Sequence, residues 1–427
     1  MDCNYISLYT TAQVNRTDFG KLQENLFWSK GGEYELRIHR IHAYPAKFPA
    51  FITTKALAFA RSRRMKVQRI GDVFCGCGTV AFEARRNGID FWGCDINPVA
   101  TLIASVKSSA YDPQKLQDYH EKIIEKFSHS TTRVRLSDPA IARLDYWYSD
   151  KRFRDLAKLL NAIEKNIPAR SRYRRFFLCA FSNILKPTSR WLTKSIKPQI
   201  DPFKRPADVR NTFSQQVRTM IEAWKQAGVR QNSRVEILTA NMLDLRARPR
   251  VDMIVTSPPY VTSYEYADLH QLSSLWLGFA SDYRTLRGGS IGSTQHSLDF
   301  NREIKRLNTT GARIVFSLFD RDKAIARSTA KYFLDMQAVA RRCFGLLRRS
   351  GMALFVIGNT EYKGVRIDNA SHLAEALLSS GFRRIRVAKR RMSGKILTPY
   401  RDSVGQFSGR RTGRHVYAEE FVLIATK

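Results

Sequence analysis

Short apolar runs, most of them bounded by glycine, proline or polar residues, recur along the chain and predict strands. They cover residues 69–74, 91–95, 235–239, 251–255, 351–357, 382–387 and 420–426. Amphipathic patterns with the helical period lie between several of these runs and predict helices. They cover residues 53–62, 116–127, 155–167, 213–226 and 324–347, with a further helix-like run at 264–278. Residues 280–312 lack such a pattern, and we expect a flexible loop there.

The distribution of these patterns predicts four regions. Residues 1–37 are weakly patterned and are expected to form an N-terminal arm across the core. Residues 38–110 and 235–427 contain all of the predicted strands and would form two halves of one core. Residues 111–234 contain amphipathic helical patterns and are expected to form a helical insert, which can build one wall of a cleft.

The run that ends at Val255 leads into a distinctive turn, whose residues after Thr256 are Ser257, Pro258, Pro259 and Tyr260. Because proline cannot donate to a strand ladder, the strand must stop at the two prolines. The residue before each proline is pushed out of the helical region, so the turn is extended and stiff. It therefore fixes a hydroxyl, backbone carbonyls and a ring at the carboxyl end of a strand, where α/β folds build sites. An edge strand closed by a structural Pro-Pro turn is the alternative.

A glycine-rich turn follows the run at 69–74 and includes Gly76 and Gly78. Glycines without side chains let the backbone approach a ligand closely, and the helix that follows presents free N–H groups. The next strand ends in Asp95, where a carboxylate can accept hydrogen bonds from ribose hydroxyls. The spacing G-x-G-x-x-G is absent, which argues against a dinucleotide.

Charge narrows the class of partner. The chain contains 72 Lys and Arg against 38 Asp and Glu, a formal net charge of +34. This excess predicts a polyanion, either nucleic acid or an anionic membrane. No apolar run reaches the ~20 residues of a spanning helix, and the first residues do not resemble a secretory signal. We therefore expect a nucleic-acid partner, no membrane and a cytoplasmic location.

The cysteines predict neither disulfides nor a metal site. Six cysteines in 427 residues are too few for a disulfide framework. Cys75 and Cys77 form a C-x-C pair, but their glycine-rich context and the lack of a second Cys or His pair nearby favour small packing residues over zinc.

Cations interleaved with aromatic residues predict a nucleic-acid surface on the insert. The candidates there are Arg172, Arg174, Arg175, Lys186, Arg190, Lys194 and Lys197. Further candidates in two glycine-containing segments nearer the C-terminus are Arg287, Lys395, Arg401, Arg410, Arg411 and Arg414. For any single arginine, a solvated helix face is the alternative.

The two turns together, in this order, resemble the motifs of S-adenosylmethionine-dependent DNA amino-methyltransferases. The Asp-x-Phe-x-Gly-x-Gly-Thr loop and Asp95-Ile96-Asn97-Pro98 are similar to the cofactor loop of that family, and Ser257-Pro258-Pro259-Tyr260 is similar to its catalytic motif. The resemblance is strongest to enzymes that modify cytosine N4, and it covers most of residues 38–105 and 235–427. It implies an α/β fold: a Rossmann-like, mostly parallel seven-stranded sheet with a helical insert and an antiparallel C-terminal hairpin.

The resemblance also implies a cofactor and residue roles. S-adenosyl-L-methionine would contact Lys47, Phe48, Pro49, Asp72, Phe74, Gly76, Gly78, Thr79, Asp95, Asn97 and Asn241. Many relatives have an acid in place of Asn241, so here an amide carbonyl would replace a carboxylate. Ser257 and the Pro258 carbonyl would accept protons from the target amine, and Tyr260 would stack on a base flipped out of double-stranded DNA.

Several alternatives remain open at this point. The same turn could methylate adenine N6, although Ser257 favours cytosine by resemblance. RNA could be the substrate, because net charge does not distinguish the two polymers. A catalytically inactive DNA-binding protein is a third reading, against which the intact motifs argue. For an active enzyme of a restriction–modification system, a cognate restriction endonuclease is a candidate partner.

Overall fold

The structure is a computed structural model of the full chain. It describes residues 7–45, 47–195, 197–228, 233–246, 249–261, 265–292, 298–392, 400–401, 407–408, 414–415 and 419–427.

Helices and strands alternate in the two halves of the chain. The strands are β1 (Ser7–Tyr9), β2 (Arg69–Asp72), β3 (Asp90–Asp95), β4 (Val235–Thr239), β5 (Val251–Thr256), β6 (Leu347–Gly358), β7 (Thr360–Tyr362), β8 (Val365–Ile367), β9 (Arg384–Arg390), β10 (Tyr400–Arg401), β11 (Phe407–Ser408), β12 (Arg414–His415) and β13 (Glu420–Thr426). The helices are α1 (Thr11–Val14), α2 (Ala50–Ser62), α3 (Thr79–Arg86), α4 (Pro98–Lys107), α5 (Pro113–Phe127), α6 (Asp138–Trp147), α7 (Asp150–Asn166), α8 (Arg172–Ile184), α9 (Val209–Lys225), α10 (Tyr266–Leu269), α11 (Gln271–Trp276), α12 (Phe300–Glu303), α13 (Thr309–Phe319), α14 (Lys323–Leu346) and α15 (Asn369–Ser379). Short 3₁₀ turns cover Phe19–Lys21, Leu26–Trp28, Arg37–Arg40, Tyr283–Arg287 and Ile304–Arg306. Among the described helices, none combines the length and the apolar character that crossing a membrane requires.

The central sheet confirms the predicted fold class of a mostly parallel sheet with helices. Its order is β1-β9-β13-β6-β5-β2-β3-β4. The pairs from β4 to β6 are parallel, whereas β13 runs antiparallel to both β6 and β9. The predicted count of seven strands was wrong, because β1 of the N-terminal arm adds an eighth strand antiparallel to β9. A three-residue strand that pairs only at a sheet edge leaves little hydrophobic pattern in the sequence.

Helices cover both faces of this sheet. Along β6, Ala353, Phe355 and Ile357 pack into a core with α13, α14 and α15. The alternate residues Leu354 and Val356 pack into a second core with α2 and α3. Strands buried on both faces are continuous apolar runs, which is why the sequence indicated them clearly.

Helices α5 to α9 lie between residues 38–110 and 235–427 in sequence, and they share a third hydrophobic core. Its aromatic members include Phe176, Phe177 and Phe213. The same core includes Val99 of α4 and Leu275 of α11, so the helical region packs directly against the two halves.

The expectation of a loop over residues 280–312 was wrong at Phe300–Glu303, which form α12, and at its C-terminal end, where α13 begins at Thr309. Asn308 caps this helix, since its Oδ1 accepts the N–H of Gly311 at 2.8 Å. The carboxylate of Glu375 on α15 accepts the N–H groups of Thr309 and Thr310 at 2.9 and 3.0 Å. A carboxylate from α15 thus accepts the free N–H groups at the N-terminus of α13. The sequence around residue 309 could not reveal this contact, because its partner is distant in the chain.

Candidate cofactor and catalytic site

The glycine loop and the Ser-Pro-Pro-Tyr turn lie at the carboxyl ends of two neighbouring parallel strands, β2 and β5. The hydroxyl of Thr256, the last residue of β5, donates a hydrogen bond to Oδ1 of Asp72 at 2.6 Å. Both side chains are buried. The two sequence motifs therefore meet at one edge of the sheet, joined by a buried hydrogen bond.

Asp72 is a buried carboxyl that no described lysine or arginine pairs with. Its Oδ1 also accepts the N–H of Phe74 at 3.1 Å. Burial raises the pKa of Asp72 to about 7, and the nearby charge of Asp95 acts in the same direction. Asp72 thus orders the start of the glycine loop and the end of β5 together.

Asp95 closes the glycine loop onto β3. Its two oxygens accept the N–H of Gly76 at 2.8 Å and the N–H of Asn97 at 2.9 Å. Loss of surrounding water raises the pKa of Asp95, although the two N–H groups oppose that shift. Each carboxylate oxygen has a further lone pair, so Asp95 can accept ligand hydroxyls while it still orders the loop.

The two glycines of the loop have different functions. Both have positive φ, +47° at Gly76 and +76° at Gly78. A Cβ on Gly78 would lie 2.5 Å from the Cβ of Ala104, so α3 and α4 approach too closely for any side chain there. The atoms nearest to a Cβ on Gly76 would be Cε1, Cζ and the hydroxyl oxygen of Tyr44, at 3.7 to 3.9 Å, which is ordinary van der Waals contact. Gly76 therefore faces the Tyr44 side chain, and its positive φ is what favours glycine there.

Tyr44 belongs to the site, and the sequence reasoning did not single it out. Its ring stacks on Tyr266 with centroids 6.1 Å apart and lies 5.1 Å from the ring of His270. Burial raises the pKa of Tyr44, and Asp95 adds to that effect. An aromatic residue directly before a proline, in the loop that precedes the glycine turn, was the available signal.

The predicted contacts Lys47, Phe48 and Pro49 come just after Tyr44 in the chain. The Lys47 ammonium donates to Glu35 Oε2 at 2.9 Å and to the His39 carbonyl at 3.0 Å, so it is bound to the N-terminal arm. Phe48 packs against the core formed with α2, and Pro49 is the N-cap residue of α2. These three residues thus place the loop that presents Tyr44.

Asn97 caps α4 and connects it to His270, the residue before α11. Its Oδ1 accepts the N–H of Val99 at 3.0 Å, and its Nδ2 lies 2.7 Å from Nδ1 of His270. Since the amide can only donate there, Nδ1 of His270 is unprotonated. Burial lowers the pKa of His270 to about 3, so the ring stays neutral.

Phe74, Thr79 and Asn241 are three further predicted cofactor contacts. Phe74 packs against the core that contains α14. Thr79, the first residue of α3, is buried, and its hydroxyl has no hydrogen-bond partner among the described residues. Asn241 follows β4; its Oδ1 accepts the N–H of Leu243 at 3.0 Å, and its Nδ2 donates to the Gly289 carbonyl at 3.3 Å.

The Ser-Pro-Pro-Tyr turn is supported from the neighbouring strands. Ser257 Oγ donates to the carbonyl of Val356 on β6 at 2.9 Å. Pro258 is buried, and Pro259 is half-buried. The Ser257 hydroxyl uses its proton in the bond to Val356. The lone pairs of its oxygen therefore point elsewhere and can accept a hydrogen bond from a ligand.

Tyr260 is anchored at its hydroxyl, which sequence reasoning did not predict. The hydroxyl donates to Oε1 of Glu420 on β13 at 3.1 Å, and Glu420 forms a salt bridge with Arg390 of β9. The ring lies so close to Gly358 that a Cβ there would be 2.8 Å from Cε2 of Tyr260. Loss of surrounding water and the Glu420 charge raise the pKa of Tyr260, which keeps the phenol neutral.

The predicted DNA-binding cations on the helical region divide into two groups. Arg172, Arg175, Lys194 and Lys197 are exposed. The other three are bound internally: Arg174 Nε donates to the Ile167 carbonyl at 2.8 Å, Lys186 Nζ donates to the Ser195 carbonyl at 2.7 Å, and Arg190 donates to the carbonyls of Asp145 and Tyr146.

The later candidate cations are less available or lie elsewhere. Arg287 forms a salt bridge with Asp268 at 2.6 Å. Arg401 and Arg414 are opposite each other in the paired strands β10 and β12. Lys395, Arg410 and Arg411 lie outside the described residues.

Cys75 and Cys77 are buried and unpaired within the glycine loop. Among the side chains that the structure describes, no group of three or more His, Cys, Asp or Glu residues is arranged to bind a metal ion.

Comparison with known proteins identifies relatives over most of the chain. It is 21% identical over 358 residues to type II methyltransferase M.MvaI of Kocuria varians, which covers 77% of this chain and 78% of that relative. It is 24% identical over 339 residues to type II methyltransferase M.AvaI of Nostoc sp. strain PCC 7120, covering 70% of each chain. A shorter match of 81 residues, 37% identical, links 19% of this chain to 14% of type II methyltransferase M.MjaII of Methanocaldococcus jannaschii. No protein-family model matches the chain.

Among solved structures, the rRNA methyltransferase aviRa from Streptomyces viridochromogenes aligns with 80% of this chain and 92% of its own, at 11% identity and a TM-score of 0.28. A TM-score this low supports no conclusion about fold or function. The sequence relatives of this chain are type II methyltransferases.

Proposed function

We propose that this chain is a site-specific DNA methyltransferase, which transfers a methyl group from S-adenosylmethionine to the exocyclic N4 of a cytosine flipped out of duplex DNA. The proposal depends above all on the hydrogen bond between Thr256 and Asp72, which joins the catalytic turn to the glycine loop. Group transfer between two bound molecules requires two adjacent sites, and the two motifs proposed for them are neighbours at this edge of the sheet. The similarity to type II methyltransferases supports the same activity.

The residues around the glycine loop fit such a cofactor. Gly76 faces the Tyr44 side chain at van der Waals distance, the Thr79 hydroxyl has no described partner, and Asp95 has free lone pairs beside the loop. Asp95 would accept hydrogen bonds from ribose hydroxyls, and the Tyr44 ring would pack against the cofactor. S-adenosylmethionine supplies a methyl group on a sulfonium leaving group, so the protein must mainly align it with the amine.

Ser257 and Pro258 would act on the target amine. The lone pair of an exocyclic amine is delocalised into the ring, which makes it a poor nucleophile. Hydrogen-bond acceptors for its two protons localise that lone pair, and they help most when the amine becomes tetrahedral in the transition state. Ser257 Oγ can accept because it donates its own proton to Val356. The Pro258 carbonyl would be the second acceptor.

Tyr260 would stack on the flipped base. Its hydroxyl is bound to Glu420, and its ring packs against Gly358, so the orientation of the ring is set before a base arrives. A preorganised ring loses little entropy when a base stacks on it. The exposed cations Arg172, Arg175, Lys194 and Lys197 would contact backbone phosphates. The choice of cytosine N4 over adenine N6 rests on the resemblance of the Ser-Pro-Pro-Tyr turn.

The test is to express the chain in cells that lack base methylation and to map modified bases by sequencing. We expect N4-methylcytosine at one short recurring sequence. Ser257→Ala should abolish the signal, and Ser317→Ala, which changes an exposed serine on α13, should leave it intact. If N6-methyladenine is found at a recurring site instead, the target is adenine and not cytosine. If methylation is found only in RNA, the proposed DNA substrate is wrong.

A measurement on purified protein separates catalysis from binding. With tritiated cofactor and a duplex of the modified sequence, Ser257→Ala should lower the single-turnover rate roughly 10²-fold. Its affinity for cofactor and for DNA should stay near that of the unmodified chain. If the unmodified chain binds DNA but shows no heat of cofactor binding in calorimetry, it is a DNA-binding protein without activity and the proposal is wrong.

A further inference from the structure

Phe203 is the most exposed large hydrophobic side chain that the structure describes, with 92% of its surface accessible to solvent. It lies between α8 and α9, in residues 187–207, which we name the 187–207 loop. A fully exposed phenylalanine gains nothing from the hydrophobic effect, so the fold itself gives no reason for it.

The 187–207 loop is not loosely packed. Three main-chain hydrogen bonds join its two arms. The N–H of Ala207 donates to the Pro187 carbonyl at 3.2 Å, that of Asp201 to the Arg190 carbonyl at 2.9 Å, and that of Leu192 to the Gln199 carbonyl at 2.8 Å. Prolines at positions 202 and 206 restrict the backbone on both sides of Phe203. The exposed ring thus projects from a closed loop.

The residues beside Phe203 are turned inward. Asp201 Oδ1 accepts the N–H of Phe203 at 3.1 Å, which orders the turn below the ring. The ammonium of Lys204 donates to the carbonyls of Lys186 at 2.9 Å and Trp191 at 2.6 Å. Lys204 is therefore anchored inside the loop, whereas the ring of Phe203 is left in solvent.

Packing connects the 187–207 loop to the candidate site. Trp191 stacks on Trp147 of α6, with centroids 5.0 Å apart and an interplanar angle of 22°. Trp147 Nε1 donates to Oε1 of the buried Gln271 at 3.1 Å. Gln271 follows His270, which is hydrogen-bonded to Asn97 beside the glycine loop. These contacts connect the 187–207 loop, at Trp191, to the candidate site.

The surroundings of Phe203 are positively charged. Lys194, Lys197 and Arg205 of the same loop are exposed, and the acidic residue of the loop, Asp201, is only half-exposed and uses its carboxylate within the turn. A flat apolar ring among exposed cations is complementary to nucleic acid, whose phosphates attract the cations and whose bases stack on the ring. An isolated ring gives a membrane little apolar area to bind.

We propose that Phe203 is a wedge that inserts into the base stack of bound DNA. Apolar side chains that enter between base steps unstack them and kink the duplex, which lowers the cost of extracting a nucleotide. The inference rests on the proposed DNA substrate, and it assigns the insert a function beyond attraction to phosphates. No covalent step is involved.

The test compares Phe203→Ala, Phe203→Trp and a control, Phe316→Ala, which removes another exposed ring, 59% accessible, from α13. DNA affinity is measured by fluorescence anisotropy over a range of salt concentrations. 2-Aminopurine placed at successive positions of the duplex reports unstacking. Phe203→Ala should bind roughly 10-fold more weakly with an unchanged salt slope, and it should lose the rise in 2-aminopurine fluorescence.

Phe203→Trp should restore both signals, because the flat face is what inserts, and Phe316→Ala should behave as the unmodified chain. Melting temperatures should agree among all four proteins. Equal affinity and equal fluorescence for Phe203→Ala, with the unmodified chain still methylating the duplex, would overturn the wedge alone. Failure of the unmodified chain to bind duplex DNA would overturn the wedge together with the proposed function. If the unmodified chain binds phosphatidylserine vesicles and Phe203→Ala does not, while both bind DNA equally, the ring would be a membrane contact and the wedge would be wrong.

Discussion

The sheet edge and the insert both contain proposed functional residues, but they hold them in opposite ways. At the sheet edge, Asp72 and Thr256 are buried and bonded to each other, and Asp95 is bonded to two N–H groups of its loop. On the insert, Arg175 and Phe203 are exposed. Function at the edge thus depends on precise burial, so substitutions there should change stability. Function on the insert depends on exposure, so substitutions there should change binding and spare the fold.

The largest expected effect concerns Asp72. Its folded pKa is raised to about 7 from an ordinary value of 3.8, so the folded state retains the proton between these values. The stability that this group contributes is fully present below about pH 4 and is lost as pH rises through 7. The loss approaches about 4 kcal/mol. Asp72→Asn does not titrate, and its amide oxygen can still accept from Thr256.

Urea unfolding without cofactor at pH 4 and pH 8 measures this effect. From the lower to the higher pH, the unfolding free energy of Asp72→Asn should rise relative to that of the unmodified chain. Asp282→Asn is the control, because the pKa of this residue is lowered, first by its hydrogen bond with Arg284. A difference between Asp72→Asn and the unmodified chain that does not change with pH would show that Asp72 titrates normally, and the contrast in burial would lose its energetic basis.

The next effect compares two glycines with positive φ. A Cβ on Gly78 would overlap Ala104, whereas a Cβ on Gly228, at φ +60°, would have no atom of a described residue within 4 Å. Both alanine variants incur the left-handed backbone cost, but only Gly78→Ala must also separate α3 from α4. It should lose about 1–3 kcal/mol more in unfolding free energy than Gly228→Ala. Equal losses in urea titrations would mean that the packing at the glycine loop can relax.

The smallest effect concerns neighbouring arginines of α8. Arg174 donates to the Ile167 carbonyl at the C-terminus of α7, and Arg175 is exposed. Arg174→Ala should lose about 1 kcal/mol of unfolding free energy, since it leaves a helix-end carbonyl without its donor. Arg175→Ala should keep its stability, while the slope of log affinity for DNA against log salt becomes shallower by about 0.9. If Arg175→Ala lost stability and Arg174→Ala changed the salt slope, the division of the cations into internally bound and exposed groups would be wrong.

The same contrast explains what could be predicted from the sequence. The strands that end at Asp72, Asp95 and Thr256 were predicted because strands buried on both faces are continuous apolar runs. Their order in the sheet then brings the glycine loop and the Ser-Pro-Pro-Tyr turn together. By contrast, β1 and the start of α13 depend on partners far away in the chain, β9 and Glu375, which no local pattern reveals.

Residue roles were harder to predict than positions. Arg174 and Arg175 are adjacent and chemically identical, and only the fold decides that one binds a carbonyl and the other faces solvent. Glu420 is far from the motifs in sequence, so its contact with Tyr260 was not foreseen, and Tyr44 was not singled out although it lies three residues before the predicted contact Lys47. Local spacing therefore indicates which chemistry is present, and tertiary contacts determine which side chains are available for it.

The position of β13 has a consequence for the synthesis of the chain. This strand pairs with β6 on one side and β9 on the other, yet it follows both of them in the sequence. While a ribosome is still translating residues 420–426, the facing edges of β6 and β9 are unpaired, and such edges invite pairing with other nascent chains. Glu420, which anchors Tyr260, arrives with the same strand. The addition of β13 thus joins β6 to β9 and brings Glu420 to Tyr260 of the Ser-Pro-Pro-Tyr turn in one step. A nascent chain that lacks β13 has neither contact.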